Sequence, residues 1–454
     1  GVDVTYAQGY YKSAPTKKDK NRKPESELVK EAVAAAKAAD VAVVFVGLTE
    51  EFEGEGYDRE SINMPENHNK LVETIAQANP NTAVVLAGGS VVLMPWLDKV
   101  KGLLNSGLGG QASGGAVANI LTGKVNPSGK TTETYPVKFE DNPTFGNYPG
   151  GPVTSEHKES VYIGYRYYDK ADMNVVFPFG YGLSYTTFEY SDIKLSADKI
   201  KDTDTVTVSF KIKNTGNVDG AEIAQVYVAD KESTIFRPEK ELRAFKKVFI
   251  KAGEEAEVSL ELSKRAFAFY NVNINDWCVE TGDFDILVGA SSRDIKLTVT
   301  VNVESTVECE IPDYRETAPN YYNDVKSISR DDFAAVYGTL PNPEIDKTKK
   351  IDLYCCLNDA RHTKWGGKLC RLIEKVMSGM GSDANGDGKM LAAMATQIPV
   401  RNFIAMSMGA FSPAQAEGLL MMLNDDESSF VGFSKIFWRL GGTIARLPNL
   451  LKSI

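Results

Sequence analysis

The chain has 454 residues, too many for a single hydrophobic core, so two to four domains are expected. Its composition, 43% hydrophobic and 25% charged, is that of ordinary globular material, and a net charge of -10 leaves no basic surplus for general nucleic-acid binding. No apolar run of about 18 residues offers a membrane span.

The first residues, "GVDVTYAQGY", read as a strand entered midway, with "VDVTYA" its extended part; Gly1 is not an initiator, and no signal peptide is read in these residues. A segment of a longer polypeptide is therefore expected, and the cytoplasm is its expected compartment, secretion being left open. "SELVKEAVAAAKAA" predicts a helix with Ser26 as N-cap and Leu28, Ala32 and Ala35 or Ala36 on one face. "VAVVFVG" is a continuous apolar run of the kind buried on both faces of a parallel sheet. Pro65 stands at the first turn of a second helix, whose stripe of Leu71, Ile75 and Ala78 ends at "NPN". "TAVVLAGG" is the next strand, followed by "KGLLNSG" and the helix "QASGGAVANILTG". This alternation predicts an α/β domain over residues 1–150, with helices on the sheet and the ligand end at the carboxyl ends of the strands.

Residues 151–186 form a connector rich in Gly, Pro and Tyr, too aromatic for a disordered linker and suited to a domain seam. From 187 to 303, segments such as "TVTVSFKIKNTG", "AEIAQVYVAD" and "IKLTVTVNV" alternate strictly between turn residues, which predicts an antiparallel β-sandwich. Residues 304–454 are mostly helical in pattern; in "FSPAQAEGLLMMLN" Ser412 can cap, Pro413 takes the first helical position and Gln415 closes a capping box.

The chemistry concentrates in "GLTEEFEGEGYDRESINMP", Gly47 to Pro65, which leaves the second predicted strand at its ligand end. Glycosidic cleavage needs a carboxylic acid to protonate the leaving oxygen, and usually a second carboxylate as nucleophile or base. Glycines beside an acid let the backbone approach a sugar. Tyr57 can stack or hydrogen-bond, and Asp58 and Arg59 can hold the loop or bind hydroxyls. The plainer alternative, an acidic solvated loop with one salt bridge, stays open on these residues alone.

Other motifs are weaker. In "SDANGDGKM", Asp383, Asn385, Asp387 and Gly388 match the start of an EF-hand loop, but its last ligand would be Met394, so a turn between helices is expected. The three histidines, His68, His157 and His362, are too scattered for a metal site or a triad. Ser90 lacks the spacing of a nucleophile elbow. "GLGGQASGG" lacks the order of a dinucleotide loop and reads as close packing or a sugar-proximal turn. The five cysteines, odd in number and without a CxxC pair, fit reduced thiols. The basic, apolar end "KIFWRLGGTIARLPNLLK" reads as docking against another domain rather than lying on a membrane surface.

Taken together, "EGEGYDR", "NPNTAVVLAGG", "NPSGKTTETYP", "VYIGYRYYDK", "FPFGYGLSYTTFEY", "KNTGNVDGAEIAQVYV" and "VGASSRDI" closely resemble, in order and over residues 1–303, the carboxyl-terminal half of glycoside hydrolase family 3. The resemblance implies an α/β sandwich domain followed by a fibronectin type III-like domain. It implies a retaining β-glycosidase, chiefly β-glucosidase, acting on terminal β-linked glucose in a glucoside or oligosaccharide. On the "GEGYDR" pattern it makes Glu55 the acid/base, with Glu53 as second choice, and places Tyr57, Asp58 and Arg59 near the substrate. No metal and no organic cofactor are implied.

The family's nucleophile-bearing TIM-like barrel has no counterpart here: "SDW" and "KH" motifs are missing, and the 304–454 region is shorter than the roughly 250 residues a barrel takes. The barrel is expected from the same precursor, ahead of Gly1 by preference or after Ile454, or from another chain. Homo-oligomers are compatible with this reading; nucleic acid and membrane are not expected partners. The rival class is a non-catalytic carbohydrate-binding or scaffolding module. An enzyme half should expose an apolar or aromatic face beside Glu55, whereas a free-standing module should present a polar one.

Overall fold

A computed structural model of the chain describes residues 2–12, 21–49, 52–54, 58–148, 150, 154–344, 346–380, 387–407, 411–425 and 432, with backbone alone at 378–380, 387 and 389. Its first region contains α1 (Glu25–Ala38), β1 (Ala42–Gly47), α2 (Glu66–Ala78), β2 (Thr82–Ala87), β3 (Gly102–Asn105) and α3 (Ser113–Leu121). β1, β2 and β3 lie side by side in that order as a parallel sheet, with Val44 opposite Val84 and Val84 opposite Leu103. The apolar stripes of α1 (Ala32, Ala36) and α2 (Leu71, Val72, Ile75) bury Val44, Val46, Val84 and Leu86 beneath them. Trp96 is fully buried in the same core and donates its indole N–H to Asn69 at 2.9 Å.

Four local expectations are corrected here. Pro24, with φ -59° and ψ 140°, opens α1 without a side-chain cap, and Ser26 lies inside the helix. Pro65 sits at the N-cap of α2, one residue before its first turn. Residues 2–12 form no strand, because among the described residues no neighbouring strand takes up their backbone groups, and Val2, Val4 and Tyr6 are 76–85% exposed. Among the described residues β1 is covered on one face only. It is an edge strand, α1 and α2 touch each other on the same side, and the pleat turns Val43 and Phe45 to the open side, where they are 38% and 56% exposed.

The connector joins this region through β4 (Tyr135–Pro136) and β5 (Val175–Phe177), an antiparallel pair, with α4 (Tyr165–Lys170) between them in sequence. The β-sandwich follows: β6 (Phe188–Leu195), β7 (Lys199–Lys201), β8 (Val206–Asn214), β9 (Gly220–Asp230), β10 (Glu241–Ile250), β11 (Glu255–Leu262), the short α5 (Lys264–Phe267), β12 (Phe269–Asn271), β13 (Asp276–Cys278), β14 (Gly282–Gly289) and β15 (Ile295–Glu304). One sheet runs β10-β9-β14-β15-β7 and the facing one β11-β8-β6, while β12 and β13 form a separate hairpin. Period-two alternation sends Val206, Val208, Phe210 and Ile212 from one sheet inward against Val226, Phe284, Ile286 and Val301 from the other.

The aromatic connector residues do pack at a seam. Tyr162, Tyr167 and Tyr168 share a core with Phe236 of the sandwich and with Ala318, Tyr321 and Val325 beyond it. The Tyr162 hydroxyl donates to the Tyr321 carbonyl at 2.7 Å, and the Tyr321 hydroxyl to the Lys158 carbonyl at 2.6 Å. Beyond the sandwich the described residues are mostly helical: α6 (Asn320–Asn323), α7 (Arg330–Tyr337), α8 (Lys364–Met380), α9 (Asp387–Gln397), α10 (Val400–Met406) and α11 (Pro413–Leu423). α11 begins with the expected capping box of Ser412 and Gln415, with Pro413 in its first turn. Leu357, Cys370, Val400, Leu419 and Leu423 form the core of this last region. Ser382 to Gly386 of the EF-hand-like motif lies outside the described residues, Asp387 opening α9, and so does the basic apolar terminus.

Candidate functional site

The site grows from the carboxyl end of β1. Gly47 faces Ala87 across the parallel pair so closely that a Cβ on it would lie 1.7 Å from the Ala87 carbonyl oxygen; only glycine lets the two strands meet there. His68, 1% exposed on α2, brings Nδ1 within 2.9 Å of the Gly47 carbonyl oxygen. Burial pulls its imidazole down to about 4, so it is neutral and donates Nδ1–H to that carbonyl. The Tyr10 ring packs on it with centroids 3.8 Å apart, and the Tyr10 hydroxyl donates to the Phe45 carbonyl at 3.1 Å. The root of the acidic loop is thereby fixed to both α2 and the amino-terminal segment.

Two further contacts stitch that loop to the one after β2. The Glu53 carboxylate accepts the Gly89 N–H on both oxygens at 2.9 Å. Arg59 donates from Nη1 to the Ser90 hydroxyl and, at 3.1 Å, to the Val91 carbonyl. Burial lowers the Arg59 guanidinium from its ordinary value, against the pull of Glu53 and Glu133. A third contact comes from the connector side: the Tyr148 hydroxyl donates to Asp58 at 2.6 Å, and that hydrogen bond raises the Tyr148 phenol above its ordinary value.

These groups border an open cleft of about 640 Å³ lined by Leu48, Thr49, Glu53, Gly54, Asp58, Arg59, Gly89, Ser90, Leu108 and Tyr148. Arg59 Nη2 and Thr49 Oγ1 are buried beside it without a hydrogen-bond partner among the described residues. A cleft with carboxylates, a guanidinium, hydroxyls and backbone amides around an apolar floor suits a polyhydroxylated ligand, whose hydroxyls both donate and accept.

Of the residues singled out in the sequence, Glu53, Asp58 and Arg59 come together in this cleft. Glu55 and Tyr57 lie outside the described residues, between Gly54 and Asp58. Sequence reasoning missed Tyr148, which reaches Asp58 across 90 positions, and it missed His68 as a support for Gly47. Ser90 was weighed only as a nucleophile and serves as the acceptor for Arg59. Leu108, in the glycine-rich run, lines the cleft, with Gly107 at φ +58° before it. Among the described residues no group of three His, Cys, Asp or Glu side chains could hold a metal.

Residues 2–185 match the glycosyl hydrolase family 3 C-terminal domain, and residues 222–292 match a fibronectin type III-like domain. Over 426 residues, 94% of the chain, the sequence is 43% identical to thermostable beta-glucosidase B of Acetivibrio thermocellus, of which it covers 51%. It is 45% identical over 278 residues to the exo-alpha-(1->6)-L-arabinopyranosidase of Bifidobacterium breve, covering 61% of this chain and 36% of that protein. The crystal structure of the Bifidobacterium adolescentis GH3 beta-glucosidase superposes with a TM-score of 0.64 at 40% identity, over 72% of this chain and 47% of that one. The chain thus spans about half the length, or less, of the relatives it matches.

Proposed function

Because the chain carries the C-terminal domain of glycosyl hydrolase family 3 and, after it, a fibronectin type III-like domain, we propose that it is the acid/base half of a retaining β-glucosidase. Glu55, on the loop after β1, protonates the leaving oxygen while a carboxylate on a barrel outside this chain attacks the anomeric carbon. In the second step Glu55 takes a proton from the water that releases the sugar. A terminal β-linked glucosyl unit is the substrate, and neither step requires a metal or an organic cofactor. The barrel belongs to the same precursor or to another chain.

One observation carries this reading over a free-standing carbohydrate-binding module. Beside the polar groups of the cleft stand exposed apolar and aromatic side chains: Leu108 (76%) and Tyr148 (56%) line it, and Phe52 (37%) precedes Glu53 in the chain. Such a surface is what a half-site presents to the domain that completes it.

The test is Glu55→Ala in the protein complete with its barrel. Activity on glycosides with poor leaving groups should fall by about 10²–10⁴-fold, with a much smaller loss on activated aryl glycosides, because good leaving groups need little protonation. Azide, a nucleophile needing no general base, should restore turnover of the activated substrate. Equal losses on both substrate classes would overturn the assignment. Tight binding of cello-oligosaccharides by the chain alone, with Glu55→Ala harmless in the complete protein, would favour the module.

A further inference from the structure

The five cysteines, read from the sequence as reduced thiols, are all free here, but folding brings two of them together. β13 ends at Cys278 and β15 at Glu304, and the segment that follows meets the β12–β13 hairpin through Asn271 and Cys278. This brings the sulfurs of Cys278 and Cys309, 31 positions apart, to 2.6 Å. That is well inside van der Waals contact but longer than the ~2.05 Å of a covalent S–S bond.

Neighbouring contacts hold both partners in place. Cys278 pairs with Phe269 in the hairpin. Asn271, fully buried, donates to the Glu310 carbonyl at 2.9 Å and reaches the Cys309 sulfur at 3.6 Å. Three residues earlier the Thr306 N–H and hydroxyl donate to Asp202 at 2.9 and 2.6 Å, and Lys264 approaches the other Asp202 oxygen at 3.2 Å. Cys278 is 1% exposed, whereas Cys309 is partly open to solvent.

We propose that Cys278 and Cys309 form a reversible disulfide, a modification site that clamps the segment leaving the fibronectin-like sandwich onto the β12–β13 hairpin. The oxidant is a low-molecular-weight disulfide. The Cys309 thiolate attacks one of its sulfurs, forming a mixed disulfide and releasing one small thiolate. Cys278 then loses its proton to solvent and attacks the Cys309 sulfur, expelling the second small thiolate. Two protein thiols are oxidised by two electrons, and one small disulfide is reduced to two thiols. Burial first, and the Cys309 contact second, push the Cys278 thiol up to about 12, so the second step is slow at neutral pH and quickens as pH rises. The clamp lies just upstream of Ala318 and Tyr321, which pack against the connector, and so secures the path from the sandwich to the seam.

The test incubates the full chain with oxidised or reduced glutathione and reads thiol count, a non-reducing peptide map and thermal unfolding. Thiols should fall from five to three, with the Cys278 and Cys309 peptides joined. The transition of the sandwich should rise by about 10 °C, reversibly with dithiothreitol. Cys309→Ser, at the partly exposed position and therefore the variant expected to fold, should abolish both effects. The double variant Cys355→Ser/Cys356→Ser should keep them. An unchanged count of five, a crosslink confined to Cys355 and Cys356, or a stable glutathione adduct on Cys309 would each overturn the proposal.

Discussion

The Tyr148 hydroxyl donates to the Asp58 carboxylate at 2.6 Å, joining the far end of the first domain to the loop that follows β1. Asp58 is one residue from Arg59, which is tied to the loop after β2, so three stretches of chain converge on one side of the cleft. Tyr148→Phe keeps the ring at the rim and removes only this bond. In the protein complete with its barrel, KM should rise about fivefold, the equivalent of about 1 kcal/mol, with the melting temperature nearly unchanged. A fall in melting temperature of several degrees with unchanged KM would instead give the bond a purely structural role.

Glu53 and Glu55 should separate kinetically. Glu53 is occupied as the acceptor of the Gly89 N–H, which suits it to shaping the loop. Glu53→Ala should lose about 1 kcal/mol of stability and reduce turnover of activated and unactivated glucosides by the same factor. Azide should not restore it. Azide rescue of Glu53→Ala but not of Glu55→Ala would exchange the two roles.

His68 makes stability depend on pH. Its folded pKa of about 4 lies below the ordinary 6.5, so between these values the unfolded chain binds more protons than the folded one. The stabilisation is fully present above pH 6.5 and is lost as pH falls towards 4. By pH 5 the loss is on the order of 2 kcal/mol. Urea midpoints measured at pH 7.5 and 5 should show this loss in the parent and a visibly smaller one in His68→Gln, which keeps a donor for the Gly47 carbonyl. Parallel pH dependence in the two proteins would mean that His68 does not titrate in this way.

Gly47→Ala should be among the more damaging single substitutions in the first domain. The added methyl meets the backbone oxygen of Ala87 rather than a side chain that could rotate away. Separating β1 from β2 at that point should cost about 3 kcal/mol and displace the loop root held by His68. Chemical denaturation checks the first effect, and activity of the complete protein the second. A midpoint within experimental error of the parent would show that the strands can part there without loss.

Much of the architecture is written locally. Strict alternation in "TVTVSFKIKN" needs only the pleat to send Val206, Val208, Phe210 and Ile212 inward, and the capping box at Ser412 is complete within four residues. The loop between β1 and α2 could likewise be found from its own carboxylates and glycines. What periodicity could not decide was which elements lie next to which. Val43 and Phe45 read like any buried strand residues, and only the packing of α1 and α2 on one side leaves them open. Tyr148 carries no local mark of its pairing with Asp58, nor His68 of its hold on Gly47. Nothing local pairs Cys278 with Cys309, which lie 31 positions apart along the chain. Short-range sterics and hydrogen bonding set the elements, and these act over a few residues. The cleft, the seam and the thiol pair depend on contacts between elements, where burial, rather than order along the chain, decides which side chains meet.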